Sequence, residues 1–317
     1  MTAPRPNGVL AIVGATATGK SELAVAVAER LGGEIVSADA FAVYCGFDAG
    51  TAKPNASLRV RVPHHLVDAR DPREPWNAGE FAAEARRLCV EILGRGRLPI
   101  LAGGTGFYVR AFFGGLFEGP RRNEAVRRAL ETVKERHGAG FLLRMIALLD
   151  LESASRVGAA DAARAIRLLE ILLLSGERPS RLFRERPGRV WGKPSVKVLL
   201  TLPRELLYGR IARRFQSEFV NELPAEVRRL LAAGVPLAAP AFAAIGYRDT
   251  AALVSGTLSE AEWKERVLRD TRRYAKRQEA WFRRESDLIP VRADRPDLVE
   301  FVAREARLLF SVTGEGG

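Results

Sequence analysis

Cysteine, histidine and methionine are all scarce in this chain of 317 residues, at two, three and two copies. Cys45 and Cys89 are too few for a disulfide framework. They form no C-x-x-C pattern and no Cys/His cluster, so a structural zinc site is excluded. Such cysteine usage fits a reducing compartment, and a cytoplasmic location is expected. Long hydrophobic runs are also missing. The longest uncharged stretch, residues 230–247, is broken by Gly234, Pro236, Pro240 and Gly246, so no membrane partner is expected. The short apolar run near the N-terminus does not have the shape of a signal peptide. Acidic residues are outnumbered: 50 Lys and Arg against 38 Asp and Glu leave a formal net charge of +12. That balance favours polyanionic partners, although an Arg-rich surface facing only water has the same composition. Hydrophobic residues make up 47%, enough for one large core or for one domain carrying an insertion.

What is present is punctuated by glycine. The apolar run Val9 to Val13 leads into Gly14-Ala15-Thr16-Ala17-Thr18-Gly19-Lys20-Ser21, a full G-x-x-x-x-G-K-S phosphate loop. A helix-forming run, Glu22 to Leu31, follows. Backbone N–H groups and a helix N-terminus converge on an anion in such a setting. Lys20 can reach a terminal phosphate and Ser21 can hold magnesium. Further strands are expected at Glu34–Ser37, His65–Val67 and Leu98–Ala102, with a helix at Asn77–Leu93. This alternation predicts an α/β fold: a P-loop NTPase-like parallel sheet with flanking helices. After Gly114 and Gly115 the pattern becomes helical, with Arg121–Arg136 and Asp161–Leu174 the clearest helices. Ile166, Leu169 and Leu173 form the apolar stripe of the second. The Pro-, Gly- and Arg-rich stretch Gly176–Pro194 reads as a loop. A strand returns at Val196–Leu202, and its partly polar alternate positions place it near the sheet edge. The rest reads as helical, including a long helix over Ser259–Arg284. A core of residues 1–118 and 190–317 with a helical insertion domain, 119–189, is the expected organisation.

Candidate chemistry gathers at strand ends, where open α/β sheets bind ligands. Asp39 follows the second strand and can assist a metal ion, act as a general base, or cap a helix. Gly103-Gly104-Thr105-Gly106 lets backbone approach a ligand and adds a hydroxyl. Arg210 and Arg214 share a helix face and could offset charge on a departing phosphate, or could simply face water. The helix Glu265–Arg284 carries eight basic residues against three acids, a stripe suited to a nucleic-acid backbone. Val267, Tyr274 and Trp281 recur every seventh residue and are expected to be buried. A small-molecule kinase, a nucleotide prenyltransferase and a non-catalytic RNA binder remain open beside an RNA-modifying enzyme.

Several segments together resemble one family, the tRNA dimethylallyltransferases or tRNA isopentenyltransferases. They are Gly14–Ser21, Ser37-Ala38-Asp39, Val43-Tyr44, Gly50-Thr51-Ala52-Lys53-Pro54 and Pro63-His64-His65-Leu66-Val67-Asp68. Gly103–Tyr108, Gly246-Tyr247-Arg248 and Thr271–Gln278 complete the set, which spans nearly the whole chain in the family's order. The resemblance implies transfer of a dimethylallyl group from dimethylallyl diphosphate to N6 of the adenine 3′ of the anticodon. It implies that Gly14 to Ser21 cradle the diphosphate, with Ser21 holding Mg2+, and that Asp39, Thr105 and Arg214 are catalytic. Asp39, Ala40, Phe41, Ala42, Thr105, Arg127, Arg164 and Arg167 fall where the family contacts tRNA. The insertion and the basic helix would clasp the anticodon stem-loop, and a monomer is expected. The chain departs from the family at Ala40-Phe41-Ala42, where Ser-x-Gln is usual, at Ala163, where Gln is common, and at Cys45, where a basic residue is frequent.

Overall fold

The computed structural model describes residues 4–51, 53–117, 119–159 and 161–311. The chain divides into two units, Met1–Phe113 with Trp191–Gly317, and Gly114–Val190.

In the larger unit β1 (Arg5–Pro6) pairs antiparallel with the last strand, β8 (Phe310–Ser311). The main sheet contains β2 (Val9–Gly14), β3 (Gly33–Ser37), β4 (His64–His65), β5 (Leu98–Gly103), β6 (Ser195–Thr201) and β7 (Ile289–Arg292). All its pairings are parallel, in the order β4-β3-β5-β2-β6-β7. Every residue of β2 is buried, as expected of a central parallel strand. Leu10 and Ile12 pack with Leu23 and Val27 of α1 (Lys20–Leu31) and with Val302 and Ala306 near the chain's end. The pleat turns the buried Ala11 and Val13 to the other face, so both faces are covered.

Between strands lie α2 (Ala56–Arg61), α3 (Ala78–Gly94) and α4 (Gly106–Gly114). Asn77 caps α3 in a reciprocal box with Glu80, which fixes where that helix begins. The smaller unit holds α5 (Glu124–His137), α6 (Ala139–Leu149), α7 (Leu151–Ser155), α8 (Ala162–Ser175) and α9 (Pro179–Glu185) around Leu130, Leu142, Ile146, Ile166 and Leu169. Beyond β6 come α10 (Arg204–Arg214), a π-helical turn (Phe215–Phe219), α11 (Val220–Ala232), α12 (Tyr247–Val254), α13 (Glu260–Phe282) and α14 (Leu298–Ala306).

Three details differ from expectation. β6 lies next to the sheet edge, as expected, but an unforeseen strand, β7, supplies the edge itself; Ile289–Arg292 is short and flanked by charge, so it carries little strand signal. The half-buried polar side chains of β6 find local partners, with the Lys197 ammonium 4.4 Å from the Phe113 ring centroid and the Thr201 hydroxyl donating to Val291 O at 3.2 Å. The stretch Gly176–Pro194 contains α9, started by Pro179 at the first helical position. On α8 Leu173 is exposed, whereas Glu170 is fully buried with its charge compensated.

Candidate active site

The phosphate loop bends because three residues, Gly14, Ala17 and Gly19, take positive φ. Gly19 sits at φ 93° as the N-cap of α1, and Ala17 adopts φ 62°, a strained value for a residue with a Cβ. The Thr18 hydroxyl donates to Ala15 O at 2.8 Å, and Lys20 Nζ folds back onto the same oxygen at 2.5 Å. Burial pulls the Lys20 ammonium down to about 8; the Asp39 carboxylate opposes that fall and the Arg214 guanidinium adds to it. Lys20, Asp39 and Arg214 therefore share one electrostatic neighbourhood, although 19 and 194 positions of chain separate the latter two from the lysine.

The sheet brings them together. Ala38 N donates to Ala102 O and Thr105 N to Ala38 O, so the ends of β3 and β5 are stitched side by side. No helix follows Asp39. Its Oδ1 accepts from Phe41 N at 2.9 Å and Ala42 N at 3.2 Å, capping a tight turn. Among the described residues no donor engages its Oδ2. Thr105 Oγ1 accepts from Ala40 N at 3.1 Å, so the backbone N–H groups of Ala40, Phe41 and Ala42 are all engaged within the site. The Tyr274 hydroxyl is pushed up to about 12, by burial first and then by Asp39, against donors at Thr105 and Gln278.

The segment after Asp39 is held from several sides. Lys53 buries its ammonium among Tyr44 O at 2.8 Å, Asp48 at 2.6 Å and Asp68 at 2.6 Å. The neighbouring Ala52 lies outside the described residues. Glu226 on α11 accepts from Asp48 N, Ala49 N and the Tyr247 hydroxyl; burial raises its carboxyl above the ordinary range. Local sequence does not reveal Lys53, Glu226, Tyr274 or Gln278 as parts of this assembly. The matched segments around Lys53, Tyr247 and Gln278 were the available signal.

α10 brings Arg210 Nη1 to Thr18 O at 3.3 Å and Arg214 to the π-turn, where its Nε meets Glu218 at 2.7 Å. On α13 the expected burial holds for Val267, while Tyr274 and Trp281 are only partly buried. Its arginines line a groove of about 400 Å³ with Tyr208, Glu265, Leu268, Arg269, Arg272, Arg273 and Lys276. The Arg272 guanidinium lies over the Tyr208 ring with its buried Nε unpaired among the described residues.

The three insertion arginines divide by environment within their own unit. Arg127 and Arg167 both pair with buried Glu170, at 3.1 and 2.8 Å, and Arg167 also donates to Pro120 O. The Arg164 side chain is 65% exposed and, among the described residues, pairs only with Asp161, at 3.3 Å.

The fold and this site define a P-loop α/β protein with a carboxylate in the electrostatic neighbourhood of the loop lysine. The family model described as IPP transferase matches residues 42–285, and one described as isopentenyl transferase matches residues 7–62. The tRNA dimethylallyltransferase of Solibacter usitatus is 44% identical over 89% of this chain and 91% of its own length. That of Geobacter metallireducens is 43% identical over 88% and 90%. Among solved structures, the full-length tRNA isopentenylpyrophosphate transferase of Bacillus halodurans shares 34% identity with a TM-score of 0.69, over 96% of this chain and 98% of its own. A eukaryotic dimethylallyltransferase acting on tRNA has the same fold, with a TM-score of 0.76 at 24% identity over 90% of this chain and 74% of its own. The chain belongs to the IPP transferase family, whose curated relatives are tRNA dimethylallyltransferases.

Proposed function

We propose that the protein transfers the dimethylallyl group of dimethylallyl diphosphate to N6 of the adenine 3′-adjacent to the anticodon in certain tRNAs. The C–O bond to the diphosphate breaks, an N6–C bond forms, and the N6 proton passes to Asp39. The loop Gly14–Ser21 receives the departing diphosphate through its N–H groups and the N-terminus of α1. Lys20 and Arg214 offset its charge, and Thr105 holds the Asp39 turn at Ala40 N. The adenine must leave its stack, which costs little in a single-stranded loop.

The observation that carries this reading is the Asp39 carboxylate in the electrostatic neighbourhood of the Lys20 ammonium, with one oxygen fixed by two backbone donors and the other unengaged among the described residues. At Ala40 and Ala42 the side chains bring no polar group to the base and the backbone N–H groups are already engaged, so recognition there rests on Phe41 and on shape. The basic groove on α13 and the exposed Arg164 supply cationic surfaces for the anticodon stem-loop. Arg127 and Arg167 support the insertion through Glu170 and reach RNA only with their remaining donors.

Among the described residues no three His, Cys, Asp or Glu side chains cluster as a metal cage. The Ser21 hydroxyl at the end of the phosphate loop suits Mg2+ instead, which keeps its waters and takes phosphate oxygens. Ser21 would hold that ion, whose contribution is to offset diphosphate charge. A reducing cytoplasm fits the two free cysteines; no described helix is long and apolar enough to cross a membrane.

The test is Asp39→Asn, which keeps an acceptor for Phe41 N and Ala42 N. With dimethylallyl diphosphate and an anticodon stem-loop, nucleoside mass spectrometry should show transfer falling about 10²- to 10⁴-fold. Transfer at the wild-type rate refutes the base. Parallel reactions with a nucleoside monophosphate and with ATP separate the nucleotide prenyltransferase and kinase readings.

A further inference from the structure

α13 carries its basic residues outward, yet one polar side chain on it is buried: Gln278, only 5% exposed. Its amide lies between two turns of the site. Oε1 accepts from Thr16 N at 2.8 Å, inside the phosphate loop. Nε2 donates to Gly104 O at 2.9 Å, in the turn that leads to Thr105. Both ends of the amide are thus used, one as acceptor and one as donor, across 262 and 174 positions of chain. There is no spare room: a Cβ at position 104 would come within 2.3 Å of Nε2. One turn earlier on the same helix, Tyr274 meets Thr105 and Gln278. One turn later, Trp281 packs on Gly106, where a Cβ would lie 2.2 Å from the indole. The outward residues Arg273, Lys276 and Arg277 belong to the helix that faces RNA in the proposed function.

We infer that Gln278 is a positioning residue that ties the diphosphate loop to the basic helix, so that RNA on the helix and diphosphate in the loop alter each other's affinity. The inference rests on the tRNA reading for its RNA arm only. The physical reason is that Thr16 N is one of the loop's own donors, so its direction sets the shape of the anion cradle. Only an amide satisfies both neighbours. A carboxylate cannot donate to Gly104 O and repels both that oxygen and an incoming diphosphate.

The experiment titrates inorganic pyrophosphate with Mg2+ by calorimetry into wild type, Gln278→Glu and Gly104→Ala, with and without an anticodon stem-loop RNA. Gly104→Ala pushes the amide away from the opposite side and guards against a variant at 278 that folds poorly. Pyrophosphate binding should weaken about tenfold in each, the loss expected when buried partners are left unmatched. The KM for dimethylallyl diphosphate should rise by a similar factor with a smaller change in kcat. In the wild type, RNA should change pyrophosphate affinity severalfold, and pyrophosphate should change RNA affinity by the same factor. In both variants that factor should fall to about one. Pyrophosphate affinity within twofold of wild type overturns the positioning role. A coupling factor unchanged in the variants, or absent in the wild type, overturns the link to RNA. The pyrophosphate arm needs no prenyl transfer, so a wild type that binds pyrophosphate but never prenylates RNA refutes the functional reading and not this one.

Discussion

Replacing Lys20 by methionine should make the free protein more stable while removing its grip on diphosphate. Lys20 lies beneath its own loop with the ammonium on Ala15 O, and burial holds it at about 8 against an ordinary 10.5. At about 1.4 kcal/mol for each pH unit, keeping that charge at neutral pH costs about 3 kcal/mol. Part of the side chain remains accessible to water, which reduces the working figure to about 2 kcal/mol. Methionine fills a similar volume without the charge, so Lys20→Met should raise the melting temperature at pH 7 by about 3–6 °C. The sign of the pH dependence is fixed. Between about 8 and 10.5 the unfolded chain holds a proton on Lys20 that the folded chain has released. Wild-type stability therefore rises through that window relative to the variant, and the gap between them closes toward its upper end. Thermal denaturation from pH 6.5 to 10 follows this directly. Added pyrophosphate should stabilise the wild type and leave the variant unmoved. A Lys20→Met protein that melts below wild type at pH 7 would refute the claim that charge burial is the dominant cost at this position.

Glu226→Ala should cost roughly 3 kcal/mol in urea denaturation, because Asp48 N, Ala49 N and the Tyr247 hydroxyl lose one shared acceptor. Since burial raises the Glu226 carboxyl, its stabilisation is fullest at acidic pH and declines as pH climbs through the raised value; Glu226→Gln should flatten that decline. Arg127→Ala should destabilise the insertion by about 2–4 kcal/mol by leaving fully buried Glu170 short of a cation, whereas Arg164→Ala should change stability by less than about 0.5 kcal/mol and weaken stem-loop binding; denaturation and RNA titration of each decide this. Stem-loop affinity should fall roughly 50-fold from 50 to 200 mM salt if about four phosphates are neutralised, and a flat salt profile would exclude the basic groove.

How much of this was readable from the chain depends on distance along it. The strand, loop and helix from Val9 to Leu31 follow from local chemistry: an apolar run, glycines where the backbone must bend, and a helix-forming stretch. The parallel sheet followed from alternation, and the family from short segments kept in order. β7 escaped because four residues flanked by charge carry almost no periodicity; pairing with β6 creates that strand. Tyr274 escaped because a seven-residue repeat marks a helix face without saying what that face meets.

The sequence by itself determined which groups this protein possesses: an anion loop, a carboxylate at a strand end, and a strongly basic helix. Only the tertiary structure decided which of them meet. β5 enters the sheet between β2 and β3, bringing the Gly104–Thr105 turn up to Asp39, and α13 returns to set Gln278 against Thr16. Such contacts join residues 65 and 262 positions apart, and their cause is the order of strands and the burial of faces, which no local pattern encodes.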